Sequence, residues 1–420
     1  MRLLYVCNDF GIPPDGTKGP SIHLRSITAA LAAAGCEVRL LSPKAGPGPG
    51  HPVVRLLPPG CPPADESARL LRDYMTPRGL GDALAREIRP LLYNAWALDE
   101  ARRALADRPV DVVLERLSLF SHLGLDLAEA LDVPLVVEVN AILTDEARRY
   151  RALQRIELAE TIERRVLERA AALLVVSRQL ADQLAQRGVE RDKIVVIPNG
   201  ADVEHFDAAP PPDACRAALG LAGRFVVGFV GSLKVWHGAD VLVEAFAKLH
   251  AVDSAARLLI VGAGPQEPSL RTQAAELSLG ESAVFTGAVS HEQVPAMVRA
   301  MDVAVAPYVS IEGFCFSPIK LFEYMAAGAC VVASRIGQID EVVEHARNGL
   351  LCSPGNATHL FGALDLLRTS PNLRRRLAEC GRETVRTKFT WAHTARRVLD
   401  VIGPLVAARA AASSFQAATS

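Results

Sequence analysis

From Gly313 to Leu350 the chain admits few architectures. Ser317, Pro318 and Lys320 stand immediately before an apolar helical run. Pro318 fixes its own φ and pushes Ser317 toward extended geometry, so no regular helix reaches back past it. Lys320, Glu323 and Tyr324 then fall within one turn, which sets a base beside an acid at a helix start. That end carries unpaired N–H groups and partial positive charge, a natural seat for a phosphate. Gly328 can end the helix, and the apolar run 329–334 reads as a buried parallel strand. A loop–helix–strand unit with polar chemistry at the helix start is how open α/β folds build nucleotide sites. The plainer reading is a solvated Lys320–Glu323 surface pair worth a few tenths of a kcal/mol.

The rest of the chain follows the same alternation. Apolar runs at 3–7, 37–41, 110–116, 134–139, 171–177 and 194–200 read as strands of a first parallel sheet, and 225–231, 258–264, 283–289 and 303–307 as strands of a second. Helices are expected from Ser21 as N-cap to Gly35, at 120–131, over 144–169, at 239–249, 357–367 and 372–388, and from Trp391 to Leu405. Residues 43–63 are rich in Pro and Gly, and 68–106 carries one or two amphipathic helices. The expected organisation is a Rossmann-like domain at 1–206, a linker at 207–222 around Pro210–Pro212, a second Rossmann-like domain at 223–390, a terminal helix at 391–407 and a flexible tail at 408–420.

With 420 residues, half of them apolar, and a formal net charge of −1, the chain lacks the basic excess of a nucleic-acid or anionic-membrane partner. Its eight cysteines show no ligand-like spacing, which points to free thiols in a reducing cytosol, and no metal site is expected. No run of about 18 apolar residues is present, and Met1 leads directly into a strand, so neither a spanning helix nor a signal segment is expected.

The segment SPIKLFEYMAAGACVVAS, followed by Glu341 and Asn348–Leu351, resembles the donor-binding signature of the family 4 retaining glycosyltransferases. The opening strand, Gly-rich loop, helix and GCEVRLLSP, and the element IPNGADVEHF from Ile197 to Phe206, extend that resemblance over nearly the whole chain. It implies a GT-B fold, two Rossmann-like domains facing each other across a cleft, the first binding the acceptor and the second the nucleotide-sugar donor, and an activity that moves a sugar from a UDP- or GDP-sugar to an acceptor.

By resemblance the donor site comprises Gly231, Ser232, Lys234, Gly262, Gly264, Thr286, Gly287, Val289, the stretch Cys315, Phe316, Ser317, Pro318, Ile319, and Glu323 on the ribose. The loop residues Gly16, Lys18, Gly19 and Pro20 would close over it from the first domain. Lys320, His237 and Asn140 are the candidates for catalysis. The chain also departs from the family pattern at several points. Ser232 and His237 replace an Arg and a Lys that grip the diphosphate, Asn140 replaces a His, and Cys315 replaces the first of two glutamates. Positive charge is then expected from Lys320, with Lys234 and His237 as contributors, and backbone N–H groups of 315–319 other than Pro318 would stand in for the missing acid. Glu138 is expected to be satisfied within its domain, and no general base is assigned.

Three functions fit these residues. The first is retaining transfer to a sugar, a lipid-linked saccharide or a small metabolite, with no cofactor or divalent ion. The second is a nucleotide-sugar-binding scaffold that has lost the chemistry. The third is a GT-B enzyme that glycosylates a thiol or amine.

Overall fold

A computed structural model describes residues 1–46, 51–311, 313–315 and 317–419. It contains two compact units, Met1–Pro198 with Thr394–Ser420, and Asn199–His393.

The first unit is built on β1 (Arg2–Val6), β2 (Glu37–Leu41), β3 (Val54–Arg55), β4 (Val112–Arg116), β5 (Leu135–Val139), β6 (Ala172–Val175) and β7 (Ile194–Val196). They form one parallel sheet in the order β3-β2-β1-β4-β5-β6-β7. The central strands β1, β4 and β5 are buried almost throughout, as a sheet covered by helices on both faces requires. The second unit carries β8 (Val226–Val230), β9 (Arg257–Val261), β10 (Ala283–Gly287), β11 (Val303–Ala306), β12 (Cys330–Ser334) and β13 (Leu350–Cys352), again parallel, in the order β10-β9-β8-β11-β12-β13. In each sheet the strand order reverses once, beside β1 and β4 and beside β8 and β11. Loops leaving the carboxyl ends of strands there diverge and open a crevice.

Four sequence expectations change. The expected linker folds: Val203–Asp207 and Pro212–Ala218 are helices, and Phe206, Cys215 and Leu221 lie in the second unit's core. Asp207 is gripped there by Arg382 and Arg386, so the expected linker belongs with the second unit, which begins at Asn199 and ends at His393. The long helix expected over 144–169 is two, Leu143–Tyr150 and Ile156–Arg169, broken where Ala152 takes φ +49°. The first helix begins at Gly19 with Lys18 as N-cap, because Pro20 suits a first turn where its missing N–H costs nothing; Ser21 lies inside that turn. The last helix runs on to Thr419, with Pro404 inside it, because its alanine-rich end has high helix propensity and no glycine stop.

Candidate donor site and polar core

The site in the second unit grows from the first strand of its sheet. β8 ends at Val230, and the chain turns at Gly231 with φ +148°, a conformation that favours glycine. Gly262 follows β9 at φ +126°, and a Cβ there would lie 2.1 Å from the Gly231 carbonyl oxygen. The loops are laced together by Gly231 N–H to the Val261 carbonyl (2.9 Å), Leu233 N–H to Ala263 (3.1 Å) and Gly262 N–H to Gly287 (2.9 Å). A Cβ at Gly264 would strike the backbone of Leu233 within 2.5 Å. Gly262→Ala therefore has to displace the Gly231 turn as well as adopt a strained φ. It is expected to destabilise the chain by about 2–3 kcal/mol, read from urea unfolding.

The helix Ile319–Ala326 approaches this turn with Pro318 as its N-cap. Tyr324 fixes its depth: the hydroxyl accepts from Val230 N–H at 2.7 Å and donates to the Val230 carbonyl at 3.2 Å. One turn earlier, the Lys320 ammonium lies so close to Gly231 that a Cβ on that glycine would be 2.5 Å from Nζ. Part of the lysine stem reaches solvent, but Nζ is enclosed and has no hydrogen-bond partner among the described residues. Its neighbours are ring faces, Phe229 at 4.1 Å and Tyr308 at 5.5 Å from the centroids. Those faces favour a cation, yet they replace only part of the lost hydration. Burial accordingly pulls the amine down to about 7, with Glu323 opposing the fall. Burial pushes the Glu323 carboxyl up to about 7, with Lys320 opposing the rise. The pair is thus interior and poised between charge states.

His237 does not supply the positive charge expected of it. Its Nδ1–H donates to the Ser232 carbonyl, its ring stands edge-on to Tyr308 at 5.3 Å, and burial, Lys320 and Lys234 drive its pKa down to about 2. A neutral imidazole so fixed leaves Nε2 as an acceptor. Lys234 is exposed and rests over the Trp236 ring at 4.7 Å, so its charge lies at the surface. Thr286 and Gly287 close β10 and Val289 follows it; the Gly287 carbonyl is already taken by Gly262 N–H and the Thr286 hydroxyl. Cys315 and Pro318 are buried, Ser317 and Ile319 half-buried, and Phe316 lies outside the described residues, as does Glu312.

Asn199 was not foreseen as part of this site. Its side-chain amide donates to the Ser317 carbonyl at 2.9 Å and its backbone N–H to Ser317 Oγ at 3.4 Å. Gly200 beside it packs against the Thr390 and Trp391 backbone, with 2.6 Å to a Cβ. The IPNG element therefore braces the loop before Lys320. Its partner lies 118 residues away, and no local pattern signals such a pairing. Asn348 acts similarly at the far end of the signature, accepting from Glu344 N–H (2.8 Å) and donating to the Val342 carbonyl (3.1 Å).

In the first unit Asn140 is turned inward, its amide donating to Glu138 Oε1. Glu138 also accepts from Arg116 at 2.7 Å and from the Tyr5 hydroxyl at 2.9 Å. Burial alone would raise its pKa, but these partners hold the carboxyl below the usual range. Arg116 is the cation of the cluster. His23, lowered to about 4 by burial, accepts from Arg116 at 3.0 Å and stays neutral. Glu138 is thus satisfied within its unit. Gly16, whose Cβ would meet Ser21 Oγ at 2.6 Å, is held through its carbonyl by Arg25, while Lys18, Gly19 and Pro20 are exposed at the helix start.

Among the described residues no group of three or more His, Cys, Asp and Glu is arranged to hold a metal ion, and no helix is long and apolar enough to cross a membrane.

Comparison with known proteins gives the family. Residues 18–200 match the glycosyl transferase 4-like domain and residues 214–384 match glycosyl transferases group 1. The 2-deoxystreptamine glucosyltransferase of Streptomyces kanamyceticus is 29% identical over 72% of this chain and 81% of its own length. The D-inositol 3-phosphate glycosyltransferase of Pseudarthrobacter chlorophenolicus is 27% identical over 91% of this chain and 89% of its own. The structure of Anabaena HepE in complex with UDP-glucose superposes with a TM-score of 0.69 at 20% identity, covering 96% of this chain and all (100%) of that one. The tiled family matches, the paired parallel sheets and the shared architecture make the chain a glycosyltransferase of the group 1, family 4-like lineage with the GT-B fold.

Proposed function

We propose that this glycosyltransferase takes its sugar from a nucleoside diphosphate donor bound on the second unit and transfers it with retention of configuration, without a metal ion. One observation carries the reading: an enclosed lysine amine with no hydrogen-bond partner among the described residues, at the carboxyl end of β8 beside a glycine turn. A buried cation left unpaired is costly, and a diphosphate oxygen is the partner whose arrival relieves that cost. The nearby helix start adds its dipole in the same sense. As the anomeric C–O bond to the diphosphate breaks, negative charge grows on the departing oxygen and Lys320 stabilises it. The acceptor hydroxyl forms the new bond on the same face, and its proton passes to that phosphate oxygen. Glu323, one turn along, accepts from the ribose hydroxyls, and His237 Nε2 accepts from a donor hydroxyl. The UDP-glucose held by Anabaena HepE supports a nucleotide-sugar donor.

A thermal-shift series with UDP, GDP, ADP and TDP tests the donor class. The preferred nucleotide is expected to raise Tm by several degrees at 100-fold over its Kd, where ligation is worth about 2.7 kcal/mol. A flat response to all four overturns the reading. The neutral His237 and the apolar Cys315 position favour a second reading, a donor-binding protein without transfer. Release of nucleotide from a labelled nucleotide sugar, with formation of a glycosylated product, excludes it.

A further inference from the structure

The helix that carries Lys320 is fastened at two points. Beyond the lysine, the Tyr324 hydroxyl is locked onto the Val230 backbone. Before it, the Asn199 amide donates to the Ser317 carbonyl at 2.9 Å. Few torsions separate that second grip from the helix. The Ser317–Pro318 peptide is planar, and the ring of Pro318 fixes its φ, here −71°. Pro318 ψ, at 107°, is the one soft backbone torsion left before Ile319 opens the helix. Holding the Ser317 carbonyl therefore sets the direction in which the helix starts, and with it the position of Lys320 one residue further on.

Asn199 is equipped to act as such a clamp. It is 4% exposed, and its own backbone is held by the residues that follow. Gly200 lies so close to the neighbouring segment that a Cβ would be 2.6 Å from the Thr390 carbonyl carbon. Ala201 N–H donates to the Phe389 carbonyl at 2.9 Å, and Trp391 N–H donates to the Ala201 carbonyl at 3.3 Å. Phe389 in turn packs its ring on Phe322 of the Lys320 helix, with centroids 5.3 Å apart. Clamp and helix thus share one packed frame. The amide is not there for its own satisfaction. Asn199 Oδ1 is buried and has no hydrogen-bond partner among the described residues, which is a cost to the fold. The donation to Ser317 is what the side chain contributes. The second contact, from Asn199 N–H to Ser317 Oγ, is the longer of the two at 3.4 Å.

We propose that Asn199 is a positioning residue for the transfer, holding Lys320 through Ser317 where the departing diphosphate needs it; this rests on the role of Lys320 given above. A lysine released from its seat can still follow a bound diphosphate, but without the placement that the transition state requires. The test uses the full chain and measures release of nucleotide from the diphosphoglucose of whichever of UDP, GDP, ADP or TDP raises Tm. Asn199→Ala is expected to lower kcat at least tenfold, while the Kd of that nucleotide changes less than threefold. Asn199→Asp keeps the shape but turns an oxygen toward the Ser317 carbonyl, and it should act alike. Because Asn199 works through Lys320, Asn199→Ala combined with Lys320→Met should be no slower than Lys320→Met alone. Losses that multiply in the double variant overturn the proposal, as does native kcat in both Asn199 variants. A Kd that weakens as much as kcat falls, or failure of both variants to fold, makes Asn199 a structural brace only and overturns it too. Native turnover in Lys320→Met brings down the charge assignment instead, and a native chain that releases no nucleotide removes both.

Discussion

Lys320→Met is expected to lower kcat/KM by roughly a hundredfold or more, the scale set by removing one group that stabilises charge in a transition state. The same substitution should leave Tm unchanged or raise it. Methionine fills the volume of the lysine stem against Phe229 and Tyr308 and removes an enclosed amine that has no hydrogen-bond partner among the described residues. Stability and activity then move in opposite senses, as at sites whose strained or unpaired groups serve chemistry. Lys320→Ala should lose activity to the same degree and also lose some stability, because it leaves a void beside the Gly231 turn. Nucleotide titration followed by steady-state kinetics separates the contributions. If Lys320 stabilises the departing diphosphate more than the bound donor, the loss falls mainly on kcat. Native turnover in Lys320→Met would remove the charge assignment altogether.

Much of this architecture is legible in the chain because parallel strands covered on both faces are continuous apolar runs. Val112–Arg116 and Leu135–Val139 are buried at every position, and their sequence announces it. The strands not foreseen, Val54–Arg55 and Leu350–Cys352, are two and three residues long and lie at sheet edges, too short to show a period. The break in the 143–169 helical region sits at Ala152, a residue that favours helix, so the signal there points the wrong way. The loop–helix–strand unit around Lys320 is readable from its own residues because Pro318, Lys320, Glu323 and Tyr324 are neighbours in sequence. The brace that Asn199 supplies is not, since its hydrogen bonds join residues far apart in the chain. The neutrality of His237 was hidden for the same reason: Tyr308, Phe229 and Lys320, which surround it, come from three separate segments.

Donor binding is expected to take up close to one proton per nucleotide at pH 8.5. With its amine lowered to about 7, Lys320 is mostly neutral there in the empty site, and an arriving diphosphate restores the ammonium. Affinity for a nucleoside diphosphate should therefore fall by up to about tenfold per pH unit above 7. Glu323 acts in the opposite direction. Its carboxyl, raised to about 7, is the stronger acceptor for ribose hydroxyls when ionised, so affinity is also expected to weaken as pH falls below neutrality. The two limbs give an optimum near pH 7. Lys320→Met should delete the alkaline limb and Glu323→Gln the acid one. The empty protein's stability carries the same signature. Between about 7 and 10.5 the unfolded chain binds more protons at Lys320 than the native one, so that contribution to stability rises with pH. Between 4.5 and about 7 the native chain holds more protons at Glu323, so that contribution falls as pH rises. Near neutrality both buried charges are carried at cost, and both costs ease when a nucleotide arrives. Calorimetric titration at pH 8.5 in two buffers of different ionisation enthalpy measures the uptake directly. A binding heat independent of buffer would show that the Lys320 amine is already charged before the diphosphate reaches it.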